Sequence, residues 1–274
     1  MTTVDRMDQR QEKTNLFQSI PAGSVILKCM GFLGILFFIL YLPGCGKKNP
    51  AAQPGPEANP YRWDFNDLNG WVDDSQNTGG PHNYAVAEGK LRIHTRAGTW
   101  DRAKVRTAQQ TFRAGVTRWR VYVPAMGAGD QASIGAFLYN SDTRELDFEI
   151  GFGKSADRAA MKAAPDELIV FTTSQAGPSK STKHLIKREQ WVDFSIDLAL
   201  PDSAADNRYS AVWSVDGDKM EEVRLSFGGE TAFYIYCSVE NLQFLGDHVP
   251  VQENYALFDY VEHSAQDTLR KKVR

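Results

Sequence analysis

The sequence predicts an all-β fold in which two antiparallel sheets pack face to face as a sandwich. Nine short runs of alternating apolar and polar residues lie between residues 91 and 263, and turn residues separate them. Alternation with period two marks strands with one buried face, and strands at this density favour a sandwich with roughly six or seven strands in each sheet. The composition, 42% hydrophobic and 24% charged residues among 274, is that of a folded globular chain.

The runs place the predicted strands and turns along the chain. They cover residues 91–95, 118–123, 133–140, 145–152, 167–174, 191–198, 209–217, 231–239 and 255–263. Asp216-Gly217 favours a tight hairpin turn at the end of the seventh run. A short helix is predicted over residues 156–164, before Pro165.

The charge balance and the cysteines exclude some classes of function. Lys and Arg number 31 against 34 Asp and Glu, a formal net charge of -3, whereas proteins that cover nucleic-acid phosphates are usually basic. We therefore expect no nucleic-acid partner. Three cysteines cannot form a disulfide framework, and Cys237, in a strand-like run, is predicted to be a buried, inert thiol. The five histidines show no metal-like spacing.

An apolar segment near the N-terminus predicts export from the cytoplasm. Residues 30–42 form an uncharged run that is shorter than the roughly 20 residues of a membrane-spanning helix and fits the core of a signal peptide. Leu42-Pro43-Gly44-Cys45 follows, and this pattern resembles the lipobox of bacterial lipoproteins. The resemblance implies that Cys45 is acylated and becomes the mature N-terminus. An uncleaved signal anchor is the alternative.

These segments divide the chain into four parts. Residues 1–45 are predicted to be a signal peptide, whose true start could lie at Val25, and residues 46–60 a spacer rich in Pro, Ala and Gly. The folded domain is predicted over 61–263, and 264–274 is a basic tail. We expect the domain outside the cytoplasm, held in the cell envelope by a lipid anchor, and in the outer membrane if the host is Gram-negative.

The run around residue 147 carries the most specific functional signal. Side chains alternate faces along a strand, so Glu145, Asp147 and Glu149 point one way while three apolar neighbours point into the core. Three like charges on one strand face repel one another, which a purely structural strand would avoid. The sequence therefore predicts a functional carboxylate cluster.

Aromatic residues of the preceding run are predicted to lie beside this cluster. If residues 140–144 connect the two runs as a hairpin, Phe137 and Tyr139 share the face of the carboxylates. Aromatic rings can stack on the apolar faces of pyranose sugars, and carboxyl groups in different protonation states can cleave glycosidic bonds. Close carboxylates cannot all ionise cheaply, so clustering raises the pKa of at least one of them.

The motif Glu-Leu-Asp-Phe-Glu resembles the E-x-D-x-E signature of glycoside hydrolase family 16, whose members are retaining endo-glycanases on a concanavalin A-like β-jelly-roll. The resemblance implies that Glu145 is the nucleophile, that Glu149 is the general acid/base and that Asp147 tunes both. Further segments resemble the family in order and spacing, and they are residues 88–93, 115–124, 209–217 and 258–261.

Other site residues are also predicted. Two tryptophans are candidate stacking residues: Trp100, in a polar loop, and Trp191, on the side of its run opposite the apolar face. Arg106 matches an arginine that lines the cleft in the family. The family has an acidic residue two positions before this arginine, and here that position is Lys104. The resemblance further implies a structural calcium at Gly89 and Asp259, and no cofactor for catalysis.

Two functions are consistent with these residues. The first is a retaining endo-acting hydrolase or transglycosylase that acts as a monomer on a β-linked polysaccharide. The alternative is a non-catalytic carbohydrate-binding lipoprotein on the same scaffold, since a fold does not fix a function. A structural protein of the cell envelope is a third, less specific interpretation.

Overall fold

The computed structural model describes residues 61–76, 79–201 and 206–266. The predicted signal peptide, the lipidation site Cys45, the spacer and most of the basic tail lie outside these residues. Within the described ranges, none of the helical residues forms a segment long and apolar enough to cross a membrane.

The described residues form fifteen strands and one short helix. The strands are β1 (Arg62–Trp63), β2 (Trp71–Asp73), β3 (Tyr84–Ala87), β4 (Lys90–Thr95), β5 (Arg102–Thr107), β6 (Gly115–Val123), β7 (Ala132–Ser141), β8 (Arg144–Gly151), β9 (Glu167–Ser174), β10 (Lys180–Lys187), β11 (Gln190–Ala199), β12 (Arg208–Val215), β13 (Asp218–Gly228), β14 (Tyr234–Asn241) and β15 (Asn254–Ala265). The helix, α1 (Ser155–Met161), lies between β8 and β9.

The strands assemble into two antiparallel sheets, which confirms the predicted all-β sandwich. One sheet has eight strands in the order β13-β12-β11-β6-β15-β4-β3, with β1 also paired to β15. The other has seven, in the order β10-β9-β8-β7-β14-β5-β2. All nine predicted runs fall on strands, and β15 continues to Ala265, two residues past the predicted end of the domain.

The inner faces of the two sheets form one large hydrophobic core. Trp119 and Trp213 are buried there, as their alternation with apolar residues predicts, and each donates its indole N–H to a backbone carbonyl of the seven-stranded sheet. Cys237 is also buried, and burial raises the pKa of its thiol, which fits an inert side chain.

Local chemistry explains the turn between β12 and β13. Asp216 and Gly217 both adopt positive φ, 49° and 89°. Two successive residues with positive φ define the type I′ turn, whose twist matches that of the flanking strands. The predicted hairpin turn is confirmed.

Candidate active site

The predicted carboxylate cluster lies on the outer face of the seven-stranded sheet. Leu146 and the other two apolar residues of β8 are fully buried in the core, so Glu145, Asp147 and Glu149 face outward together. Glu145 and Glu149 are partly exposed, whereas Asp147 is only 3% exposed. The three acidic groups thus share one surface, with the central one shielded from water.

The predicted hairpin between β7 and β8 is confirmed by its register. Tyr139 pairs with Glu145, and Phe137 pairs with Asp147. Gly135 pairs with Glu149, so no β7 side chain stands beside this carboxyl group. A Cβ atom at Gly135 would lie 2.3 Å from Ser238 Oγ, so any larger residue would collide with β14.

An aromatic cluster continues the site from β7 onto β14. Phe137 and Tyr236 stack with ring centres 4.5 Å apart, and Tyr139 meets Tyr236 edge-on at 5.9 Å. The Phe137 side chain is 8% exposed and Tyr236 covers one face of its ring, so Tyr139 is the more accessible of the two predicted sugar-contacting aromatics. The Tyr236 hydroxyl donates to Asp74 at 2.8 Å.

The environment of Asp147 favours its protonated form. Burial raises the pKa of Asp147 well above the ordinary value, and the negative charges of Glu145 and Glu149 act in the same direction. A hydrogen bond from Gln175 Nε2 to Asp147 Oδ2, at 3.0 Å, opposes this shift. Because neighbouring carboxyl groups share protons, this residue is suited to tuning the two beside it.

Glu149 also resists ionisation. Burial is the main cause that raises its pKa, to about 8, and the charges of Glu145 and Glu240 add to it, while Arg102 opposes it. A carboxyl group with this pKa carries a proton at neutral pH, as a general acid requires.

An apolar wall explains much of the burial around Glu149. Phe171 of β9 pairs with Glu149, and its side chain joins a second hydrophobic cluster on the outer face of this sheet. The cluster is formed by Ile169, Phe171 and Leu245, packed against Met161, Leu185, Leu242 and Phe244. Ser155 donates to Asp247 through both its backbone N–H and its hydroxyl, which ties α1 to the loop after β14.

A buried ion cluster that the sequence analysis missed lies on the same sheet face. Lys104 Nζ and Arg102 Nε each lie 2.6 Å from the same Glu240 oxygen, and both Lys104 and Glu240 are buried. Burial opposes ionisation of Glu240, but the two cations outweigh it and lower its pKa to about 2. The alternation of basic with apolar residues along β5 was the available signal, but only the pairing of β5 with β14 reveals the cluster.

The structure places two more predicted site residues on or near this face. Arg106 lies over the ring of Tyr234 at 4.2 Å, and its Nε is 3.7 Å from Asp74. Trp100 is 39% exposed in the loop before β5, two residues from Arg102. Both positions are consistent with a substrate contact, which stays a prediction.

The placement of Trp191 at this site is wrong. Trp191 lies on β11 in the eight-stranded sheet, paired with Tyr122, and points outward from that sheet. Alternation had shown that its side chain leaves the core, but not which of the two outer faces it joins. The whole sandwich therefore separates Trp191 from the carboxylates.

The predicted calcium ligands, Gly89 and Asp259, lie near each other at neighbouring strands of the eight-stranded sheet. Gly89 occupies the turn before β4 with φ 67°, and Asp259 lies at an irregularity of β15, next to the pairing of Phe258 with Leu91. Asn66 Oδ1 and the Asp64 carbonyl oxygen lie within 4 Å of the position that a Cβ on Gly89 would take. These are hard oxygen donors of the kind Ca²⁺ takes. Among the described residues, no group of three or more His, Cys, Asp and Glu side chains is placed to hold a metal.

Comparison with known proteins bears on the fold. No protein-family model matches the chain, and no curated protein matches it in sequence. Solved structures do match. The β-glucanase from Bacillus licheniformis is 16% identical, with a TM-score of 0.51 over 75% of this chain and 98% of that one. The laminarinase catalytic domain from Thermotoga maritima is 14% identical, with a TM-score of 0.54 over 76% and 98%.

A third solved structure extends the comparison to another reaction type. The Crh5 transglycosylase is 14% identical, with a TM-score of 0.54 over 75% of this chain and 84% of that one. At such identities a structural likeness establishes the fold alone. The chain therefore has the jelly-roll fold of the solved β-glucanase, laminarinase and transglycosylase.

Proposed function

We propose that this protein is a retaining, endo-acting glycoside hydrolase or transglycosylase on a β-linked polysaccharide. The observation that carries the proposal is the arrangement of Glu145, Asp147 and Glu149 on one sheet face, with the pKa of Glu149 raised to about 8. The fold shared with glucanases, a laminarinase and a transglycosylase supports it.

In the first half of the proposed reaction, Glu149 gives its proton to the glycosidic oxygen. The bond between that oxygen and the anomeric carbon breaks, and the Glu145 carboxylate forms a covalent ester with the anomeric carbon. The leaving chain departs with the proton as a free hydroxyl. Glu149, now ionised, is ready to act as a base.

In the second half, Glu149 takes a proton from a water molecule or from a sugar hydroxyl. The resulting oxygen nucleophile attacks the anomeric carbon and releases Glu145, and two inversions give net retention. Water leads to hydrolysis, and a sugar hydroxyl leads to transglycosylation. Retention requires the two carboxyl groups about 5–5.5 Å apart, so the side chains of Glu145 and Glu149 must lean together above Asp147.

Substrate contacts are proposed from residues on or beside the same face. Tyr139 and Trp100 offer aromatic surface, and Arg106 offers hydrogen-bond donors. Phe137 supports the cluster by packing against Tyr236. We also propose a lipid anchor at Cys45 that holds the domain in the cell envelope, and a structural calcium at Gly89 and Asp259 that takes no part in the chemistry.

A polysaccharide screen tests the proposal. The substrates are mixed-linkage β-glucan, laminarin, agarose, carrageenan and xyloglucan, and the readouts are reducing-end release and the anomer of the first product. We expect Glu149→Gln to lower the rate by about 10²–10⁴-fold, the range for loss of a general acid or base, and Glu145→Gln to abolish turnover.

Glu222→Gln is the matched control, because Glu222 is an exposed acid on β13 of the other sheet. It should leave the rate unchanged. Binding of a polysaccharide without reducing-end release or a change in its chain lengths, and without an effect of Glu145→Gln, would instead support the carbohydrate-binding lipoprotein.

A further inference from the structure

An outward-facing apolar strip crosses the eight-stranded sheet, on the side of the sandwich away from the carboxylates. Trp191, Tyr122 and Leu257 are consecutive cross-strand partners on β11, β6 and β15. The rings of Trp191 and Tyr122 lie 5.6 Å apart at an angle of 59°. All three side chains are partly exposed. Two exposed rings beside an aliphatic side chain on a sheet surface offer apolar area on which a sugar can stack.

A cavity of about 230 Å³ adjoins this strip. Tyr122 lines it and so belongs to both features, and Tyr255 supplies a second ring. Polar groups line it as well, from Glu189, Gln252 and Glu253. Ligand pockets combine apolar and aromatic walls with a few polar groups, and those for drug-sized ligands measure about 300–1,000 Å³. A cavity of the present size suits a single ring.

Two residues that line the cavity adopt a left-handed backbone conformation. Met126 and Glu189 both adopt positive φ, 52° and 61°, without being glycine. Met126 follows the end of β6 and Glu189 lies in the turn between β10 and β11, so these conformations shape the turns that border the cavity.

The charges around the cavity are paired within the protein. Glu253 forms an ion pair with Arg92, whose guanidinium also lies 5.0 Å from the centre of the Tyr255 ring. Glu189 lies 3.7 Å from Arg188 Nε. A charged ligand would have to compete with these pairs. A neutral ligand that accepts and donates hydrogen bonds at its edges, and offers an apolar face to the rings, fits better.

We propose that Trp191, Tyr122 and the adjoining cavity form a second carbohydrate-binding site, which takes a neutral pyranose unit of a polysaccharide. One ring stacks on the apolar face of the sugar and the other, inclined by 59°, contacts its edge. Glu189, Gln252 and Glu253 meet its hydroxyl groups. The site lies on the opposite side of the sandwich from Glu145, so it holds a polymer without blocking the carboxylate face. A polysaccharide held at this second site has a higher local concentration at the carboxylate face.

Affinity electrophoresis tests this site directly. The full chain, in detergent and carrying Glu145→Gln to prevent turnover, is run in gels that contain laminarin, mixed-linkage β-glucan or carrageenan. Trp191→Ala and Tyr122→Ala should each weaken retention by the neutral glucans by about five- to tenfold, the loss expected for one stacking ring. The readout is binding, so the outcome does not depend on whether the carboxylates cleave a glycan.

Tyr260→Ala is the matched control, because Tyr260 is another partly exposed aromatic residue on β15, covered by Arg62 at 3.9 Å and outside the strip. It should bind like the parent chain. Gln252→Ala, which leaves the platform intact, provides a second test at the cavity and should also weaken retention. Unchanged retention of folded Trp191→Ala and Gln252→Ala would overturn the proposal, and so would a larger loss of carrageenan retention than of neutral-glucan retention in these two variants.

Discussion

The indole N–H of Trp213 donates a hydrogen bond to the backbone carbonyl of Asp147 at 3.1 Å. Trp213 lies on β12 of the eight-stranded sheet, and Asp147 is the central carboxylate on β8 of the seven-stranded sheet. A core side chain of one sheet therefore fixes the peptide on which the carboxylate cluster stands. Trp119 makes the equivalent bond to the Tyr236 carbonyl, at 3.0 Å.

This pair of bonds gives the first prediction. Trp213→Phe removes the indole N–H, so the buried carbonyl of Asp147 loses this hydrogen bond. We expect the free energy of unfolding to fall by about 1–3 kcal/mol. We expect kcat to fall by about tenfold or more with little change in KM, because small displacements of catalytic groups are costly. Chemical denaturation and steady-state kinetics on the substrate found by the screen measure the two effects.

Trp119→Phe is the matched control for this prediction. It removes the same kind of donor from the same core, but the freed carbonyl belongs to Tyr236 on β14. It should cost similar stability and leave kcat closer to that of the parent. Equal loss of kcat in both variants would mean that Trp213 acts only through general stability.

Local alternation was sufficient to predict the hairpin that carries the cluster. A one-residue slip would exchange the two faces of a strand, so the apolar residues of β7 and β8 fix which side Glu145, Asp147 and Glu149 take. The same logic could not place Trp191, since alternation assigns a face within a sheet but does not say which sheet a strand joins. That choice depends on long-range pairing.

Strands with few apolar residues were also missed. Strand β10 alternates weakly and carries mostly polar side chains, and β5 reads as three basic residues among Ala, Val and Thr. The ion cluster at Glu240 depends on the pairing of β14 with β5, which brings together residues more than 130 positions apart. Such contacts are set by the tertiary fold, so the alternation along β5 alone could not identify Glu240 as the partner.

The second prediction concerns Glu240, whose carboxylate holds Lys104 and Arg102 on the face that carries Glu149. Glu240→Gln removes a negative charge and releases two cations toward Glu149. Both changes favour the ionised form, so the pKa of Glu149 should fall from about 8 by about one unit or more. The alkaline limb of the pH–rate profile should move down with it, and carbon-13 NMR of the Glu149 carboxyl should show the same shift.

The charged groups that act on Glu149 come from three strands. They are Glu145 and Asp147 on β8, Glu240 on β14 and Arg102 on β5. Lys183 on β10 lies over the Phe171 ring and is paired with Asp157 at 2.5 Å. Asp193→Asn, which breaks an ion pair with Arg120 on the other sheet, should leave the titration unchanged. An unmoved Glu149 titration in folded Glu240→Gln would refute the prediction.

The third prediction is that Glu149 lowers the stability of the fold. Its pKa is about 8 in the folded state and 4.5 ordinarily, so the unfolded chain releases the proton first as the pH rises. The free energy of unfolding therefore falls between pH 4.5 and 8. Glu149→Gln should be more stable than the parent at pH 8 by at least about 1 kcal/mol. Denaturation curves from pH 4 to 9 should diverge as the pH rises; parallel curves would contradict this.

The fourth prediction concerns the proposed structural calcium. If Gly89 and Asp259 supply ligands, a chelator should lower Tm by several degrees, because binding to the folded state alone stabilises it. Asp259→Asn should start from a lower Tm and lose its response to the chelator. If the Tm of the parent chain is the same with EGTA and with added Ca²⁺, the proposed structural calcium is refuted.

The last prediction is a loss of stability in acid that comes from His263. This side chain is buried against the rings of Tyr61 and Phe112, and its Nδ1 lies 2.9 Å from Thr117 Oγ1. Burial lowers its pKa from 6.5 to about 4, so the folded state keeps the ring neutral while the unfolded chain takes up a proton. The free energy of unfolding that comes from the neutral His263 ring is fully present above pH 6.5. It falls by about 3 kcal/mol in total as the pH drops toward 4. Urea denaturation of His263→Gln should lack this slope, whereas His82→Gln, at an exposed histidine, should keep it.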